Sequence, residues 1–322
     1  MRDFGPPDVL ALADLPDPVP GPEQVLVAVS ASDVLFVDTL IRSGAGRGYF
    51  PVRPPYVPGN GVGGEIVAVG AGVSRDWLGR RAAAHPGGPG GTGGYARFAL
   101  ADLETTVAVP DQVDLFDATA VLHDGTTALR ILQVCDIRPG EPVLVLGAAG
   151  GMGILLVQLL AAQGVRVIGA ARGKAKREAV AAAGALAAVD YGQPDWTDAV
   201  LAAADGARPA VVLDGVGGSA GTAAFGLMAD GGLFSAHGTP SGSFAAIDSG
   251  TARHRRVRVS TIRDLQFGPG DRSRLMKDVI DRLAARQIAP LIGQTFSLAE
   301  ARKAHEAIEA RQTVAKTLLL NR

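Results

Sequence analysis

Cysteine is nearly missing from this chain of 322 residues: Cys135 is the only one. That excludes a disulfide framework within the chain and a structural zinc site built on several thiolates, and it suits a reducing compartment. Cys135 closes the apolar run Ile131-Leu132-Gln133-Val134 and reads as a small buried hydrophobe rather than a nucleophile. Aromatic side chains are scarce at 5%, and neither sign of charge dominates: 31 Lys+Arg against 32 Asp+Glu leave a net charge of −1. A nucleic-acid partner needs a basic face, and this balance supplies none. One uncharged stretch, 143–165, is long enough to suggest a membrane span. It contains Gly147, Gly150, Gly151, Gly153 and Gly164, however, and reads as a buried strand, a turn and a helix. Residues 1–6 hold no apolar signal region, so a cytoplasmic protein is expected.

Hydrophobic residues, at 47%, and glycine, with 43 positions, are plentiful. The length suits two domains, each with its own core. Residues 1–115 read as short strands broken by Gly and Pro, at 25–29, 64–69 and 95–100. That is the pattern of a small β-barrel. Between them, 85–94 is too rich in glycine for regular structure and reads as a mobile surface loop. From 116 to 286 strand and helix alternate. Strands are expected at 143–146, 165–170, 187–190, 210–213, 232–236 and 257–260, and helices at 154–163, 174–183, 196–204 and 271–286. This is an α/β, doubly wound parallel sheet of Rossmann type. Ser297 and Glu300 form a capping box for a last helix, and the strand at 317–320 rejoins the first domain, so 287–322 completes it.

The strongest motif is Gly147-Ala148-Ala149-Gly150-Gly151-Met152-Gly153, directly after a strand and opening a helix. One glycine permits the tight turn, one lets backbone approach a pyrophosphate, and one lets the helix pack close to the strand; the helix N-terminus then faces the phosphates. At the end of the next strand an NAD site wants an acidic side chain. Here Ala170-Ala171-Arg172-Gly173-Lys174-Ala175-Lys176-Arg177 offers four basic side chains and no acid before Glu178. Cations at a helix start oppose its dipole, and a bound 2′-phosphate explains them better, so NADPH is the expected cofactor.

Several segments then resemble the zinc-free quinone oxidoreductase (zeta-crystallin-like) branch of the medium-chain dehydrogenase/reductases. They are Asp38-Thr39-Leu40-Ile41-Arg42-Ser43-Gly44, Pro55-Tyr56-Val57-Pro58-Gly59, Gly125-Thr126-Thr127-Ala128, Asp214-Gly215-Val216-Gly217-Gly218 and the loop from Phe234 to Gly242. The resemblance implies a GroES-like β-barrel-type catalytic domain, a Rossmann NADP-binding domain and a homodimer. It implies that Lys176 and Tyr191 flank the 2′-phosphate. It also implies that Thr127, Val216, His237, Gly238 and Lys316 lie along the cofactor. Zinc-dependent relatives carry G-H-E where this chain has Gly59-Asn60-Gly61, so no metal is expected. Two departures fall in the expected substrate pocket: Leu35 stands where the family has Asn, and Gly61 where it has Glu.

The expected reaction is NADPH-dependent hydride transfer to a small molecule, a quinone or an α,β-unsaturated carbonyl. Alternatives are an enoyl-thioester or polyketide tailoring reductase, and an NADPH-binding protein without turnover. Tyr49 and His123 are the candidate proton donors, with Leu35, Arg42 and Tyr49 in the substrate pocket. His85 is expected to be exposed, and His254 and His305 to be solvated.

Overall fold

The computed structural model describes residues 1–87, 93–268 and 270–321. Positions 88–92 of the expected glycine-rich loop lie outside the described residues. The chain divides into two compact units, Met1–Thr126 with Pro269–Arg322, and Thr127–Gly268.

In the first unit run β1 (Gln24–Val34), α1 (Phe36–Ser43), β2 (Val62–Val69), β3 (Arg81–Ala84), β4 (Phe98–Asp102), β5 (Thr106–Ala108) and the start of α2 (Leu115–Val134). The expected strand at 95–100 thus begins only at Phe98. Tyr95 is instead held in a turn, its N–H bonded to Pro58 O at 2.8 Å.

The second unit contains β6 (Pro142–Leu146), α3 (Gly151–Ala161), β7 (Arg166–Ala170), α4 (Lys174–Ala182), β8 (Ala187–Val189), α5 (Trp196–Ala203), β9 (Val211–Asp214), α6 (Gly218–Leu227), β10 (Leu233–Ala236), α7 (Ser249–His254) and β11 (Arg258–Thr261). The chain then returns to the first unit with α8 (Asp271–Ala284), β12 (Ile292–Ser297), α9 (Ala301–Glu309) and β13 (Lys316–Leu320). Helix α8, expected in the second domain, belongs to the first. Its face of Leu275, Met276, Val279, Ile280 and Leu283 is buried, and Val279 fills the space over Gly125, whose Cβ would lie 2.8 Å away.

The sheet of the first unit is ordered β12-β13-β1-β2-β3-β5, with β4 also on β1; all its pairs are antiparallel except β12 with β13. Val25, Val27, Ile66, Ala82, Ala84, Ala99 and Ala101 form its core. The sheet of the second unit is wholly parallel, ordered β11-β10-β9-β6-β7-β8. Its central strands are buried on both faces, as helices on either side require. The chain leaves β6 toward β7 and β8, then returns to its other side with β9. The order therefore reverses at β6, and ligands of such sheets bind beyond the carboxyl ends of the strands at that point.

Candidate active site

Gly147 follows β6 at the reversal point and turns the chain with φ +72°. Its N–H and that of Ala148 both bond to Ala170 O of β7 at 3.1 Å, which fixes the turn to the sheet. Gly150 precedes α3, and no side chain caps that terminus. The N–H groups of Gly151, Met152 and Gly153 belong to the first helical turn, where they have no intrahelical acceptor. A Cβ on Gly153 would stand 2.4 Å from Gly147 O, so the helix seats against the turn only because this residue is glycine. Ala148 and Ala149 are buried beneath. The result is a short crest of backbone with outward donors and the positive end of a helix, which suits a pyrophosphate.

Beside it, the end of β7 carries Arg172, whose guanidinium carbon lies 4.9 Å from the centre of the Tyr191 ring. Lys176, half-buried, is one turn into α4. The nearby acid is Asp190. Its Oδ2 accepts from Gly173 N at 3.0 Å, its Oδ1 accepts from Gly192 N at 2.9 Å, and Arg177 lies 3.8 Å away. Asp190 is thus spent on its own loop and on a cation. Arg172 over the Tyr191 face, with Lys176 in the first turn of the following helix, is a basic and aromatic set of the kind that fits a phosphate on the adenosine ribose.

Asp214, at the end of β9, organises two further loops. Its buried Oδ1 accepts from Val216 N at 2.9 Å and Gly217 N at 2.8 Å. Its backbone oxygen accepts from His237 N at 3.0 Å and Gly238 N at 3.1 Å. A Cβ on Gly238 would lie 2.3 Å from Gly215 O, so these loops touch backbone to backbone. The His237 ring is half-buried, with Nδ1 3.3 Å from Ser235 Oγ, and burial pulls its pKa down to about 4. Thr127 is half-buried on α2 at the start of this unit.

The first unit has an unexpectedly polar interior. Arg42, assigned by the sequence to the substrate pocket, is 1% exposed. It donates to Gly5 O at 2.6 Å and pairs with Glu309. It is a structural cation linking α1 to α9. His305, expected in solvent, is fully buried with Nε2 3.1 Å from Tyr95 Oη, and burial holds its pKa at about 3. Tyr95 Oη also lies 3.2 Å from Asp38 Oδ2, and Asn60 donates to the other oxygen. Burial, with help from the Asp33 carboxylate, pushes Asp38 up to about 7.

Lys316, placed along the cofactor by resemblance, is 3% exposed, with Nζ 3.1 Å from both Asp33 Oδ2 and Asp124 Oδ2. Burial alone would lower its pKa, and the two carboxylates hold it above the ordinary value. Its ammonium donates to two buried carboxylates, which makes Lys316 an internal counter-ion of the first unit. Asp33 and Asp124 were not singled out from sequence. Their one available signal was a charged residue inside an apolar strand and helix.

His123, next to Asp124, lies edge-on to His85 with ring centres 5.6 Å apart. His85 is half-buried rather than exposed, and Nδ1 bonds to Asn60 O at 2.8 Å. Leu35 is 7% exposed and precedes α1, while Tyr49 is 59% exposed. Cys135 is buried, and burial pushes its thiol up to about 12, as a structural role requires. His254 is exposed as expected.

The G-N-G segment holds no metal donor set: Asn60 is bonded to Asp38, and the space over Gly61 is filled by Asp33. Among the described residues no helix is long and apolar enough to cross a membrane.

A parallel sheet reversing at a glycine crest, joined in sequence to an antiparallel GroES-like unit, defines a two-domain nucleotide-dependent oxidoreductase architecture. The alcohol dehydrogenase GroES-like domain family matches residues 21–111, and the zinc-binding dehydrogenase family matches 183–319. A quinone oxidoreductase of Pseudomonas aeruginosa is 32% identical over 321 residues, covering 98% of this chain and 97% of its own. A probable quinone oxidoreductase of Schizosaccharomyces pombe is 30% identical, with 98% and 94% covered. A mycobacterial protein solved in complex with NADPH superposes with a TM-score of 0.90 at 31% identity, over 99% of this chain and 98% of that one. The chain belongs to the quinone oxidoreductase family of the medium-chain dehydrogenase/reductases.

Proposed function

We propose that this protein is an NADPH-dependent reductase that transfers hydride to a quinone or an α,β-unsaturated carbonyl without a metal. The observation that carries the reading is the adenosine corner. Asp190 is bound to its own loop, and Arg172 lies over Tyr191; Lys176 stands in the first turn of the next helix. The NADPH complex of the mycobacterial relative supports the same cofactor.

In this reading the first turn of α3 and the crest Gly147–Gly153 hold the pyrophosphate. Arg172, Lys176 and Tyr191 hold the 2′-phosphate. The loops tied by Asp214 shape the nicotinamide end through Val216, His237 and Gly238, with Thr127 contributing its hydroxyl. Bound NADPH supplies the hydride. The protein orients the two partners and provides a proton for the reduced product, from Tyr49 or His123. His237 stays neutral near pH 7, because burial disfavours its cation, and it adds no charge of its own there. The lack of a donor set at Gly59-Asn60-Gly61 supports chemistry without a metal. A cytoplasmic homodimer joined through the edge strand β11 completes the proposal.

The test is NADPH oxidation with 1,4-benzoquinone, 9,10-phenanthrenequinone, 2-alkenals and crotonyl-thioesters in turn. Turnover with quinones or alkenals is expected. Turnover confined to thioesters would move the assignment to an enoyl-thioester reductase, and binding without turnover would leave a coenzyme-binding protein. Tyr49→Phe in single-turnover hydride transfer decides the donor: a lowered rate keeps Tyr49 in the chemistry, and an unchanged rate leaves His123.

A further inference from the structure

Gly61 has no backbone reason to be glycine, since its φ lies outside the left-handed region. A Cβ built there stands 2.8 Å from Asp33 Oδ1, 2.9 Å from its Cγ and 3.0 Å from Oδ2. The side-chain direction of position 61 therefore runs into the face of the Asp33 carboxylate. Asp33 is itself fully buried, pairs with Lys316 through Oδ2, and leaves Oδ1 without a hydrogen-bond partner. A buried carboxylate of this kind persists only where an opposite charge holds it. Through Lys316 of β13 and Asp124 of α2, it ties β1 to two distant segments. Two residues of the candidate substrate side flank that tie. Leu35 follows Asp33 by two positions, and His123 precedes Asp124.

We propose that Asp33 is the positioning residue for Leu35 and His123, and that Lys316 demands a carboxylate at a point that position 33 or position 61 can supply, but never both. The exchange rests on geometry alone, and its kinetic consequence rests on the reductase reading. Glutamate is the side chain that fits from position 61. Tetrahedral C–C geometry carries its Cδ about 2.5 Å beyond Cβ, and the Asp33 Cγ now stands 2.9 Å from that Cβ.

The experiment compares D33G, G61E, D33G/G61E and D33N by thermal melting and by kcat/KM with NADPH and 9,10-phenanthrenequinone across pH. D33G is expected to lower Tm by about 10 °C, the scale of breaking a buried ion pair in a chain of this size. Its kcat/KM should fall at least tenfold. G61E, colliding with Asp33, should do the same, while the double variant recovers at least half of both losses. D33N keeps the volume and removes the charge. His123 faces Asp33, Asp124, Lys316, Arg272 and His85; burial lowers its pKa and the two carboxylates raise it. With His123 as proton donor, D33N should therefore move the alkaline limb of kcat/KM to lower pH, which a purely structural role would not do. Losses that add in the double variant, an unaltered D33G, or an alkaline limb that stays in place would overturn the proposal. A D33G chain that does not fold is rescued by G61E on this account, and a double variant that also fails to fold contradicts it. If the parent protein reduces no quinone at all, the reductase reading falls, and the melting comparison still decides the exchange.

Discussion

Arg42 brings a guanidinium into an interior where 1% of its surface meets water, and Glu309 answers it from a side chain 36% exposed. Removing the cation leaves a carboxylate that can turn to solvent, so the loss should fall at the low end for a buried pair. Arg42→Ala is expected to destabilise the fold by about 2–3 kcal/mol in urea titration, with no change in KM for the quinone acceptor. A substrate-contacting Arg42 would show the opposite pattern.

His305 makes the second prediction at this scale. Its folded pKa, about 3, lies below the ordinary 6.5 because burial disfavours the cation. A depressed histidine contributes stability that is present above 6.5 and is lost as pH falls toward 3. At pH 5 the loss reaches about 2 kcal/mol from this residue alone. Asp38 acts with the opposite sign: raised to about 7, it favours the folded state at low pH and opposes it as pH rises between about 4 and 7. His85 and His237, both held at about 4 by burial, side with His305. Melting temperature should therefore fall between pH 7 and pH 5, and His305→Gln should flatten that slope. A melting temperature that rises over this interval would mean that Asp38 dominates.

At the scale of elements, two glycines in helices predict opposite outcomes. Gly153→Ala drives a Cβ to 2.4 Å from Gly147 O and 2.7 Å from Ala148 carbons and oxygens, so the first turn of α3 must shift. NADPH affinity should fall at least tenfold, read by quenching of coenzyme fluorescence. Gly226, exposed in α6, has no heavy atom within 4 Å of its would-be Cβ. Gly226→Ala should therefore stabilise by about 0.5–1 kcal/mol, because it removes backbone freedom from the unfolded chain. The sequence made the first site legible, since its glycines lie between an apolar strand and an apolar helix. The six parallel strands were legible for the same reason: runs such as Val143–Leu146 have no polar face.

The interior of the first unit was not legible in the same way. Asp33, Asp38, Arg42, Asp124, His305 and Lys316 are charged or polar, and local pattern places such residues at the surface. Only tertiary pairing shows that Lys316 finds Asp33 across 283 positions and Asp124 across 192. Helix α8 was misplaced for a related reason. Its amphipathic face shows that something covers it, and the cover is β5 and Gly125 of the same first unit.

On the reading proposed above, a nicotinamide coenzyme binds the second unit of the molecule with its extra phosphate held by Arg172, Lys176 and Tyr191. Equilibrium titration of the full chain with NADPH and with NADH, repeated on Arg172→Ala/Lys176→Ala, tests it most directly. The parent should bind NADPH at least tenfold tighter than NADH, and the double variant should lose that preference while keeping its affinity for NADH. Tighter binding of NADH by the parent, or a preference for NADPH that survives both substitutions, would contradict the account.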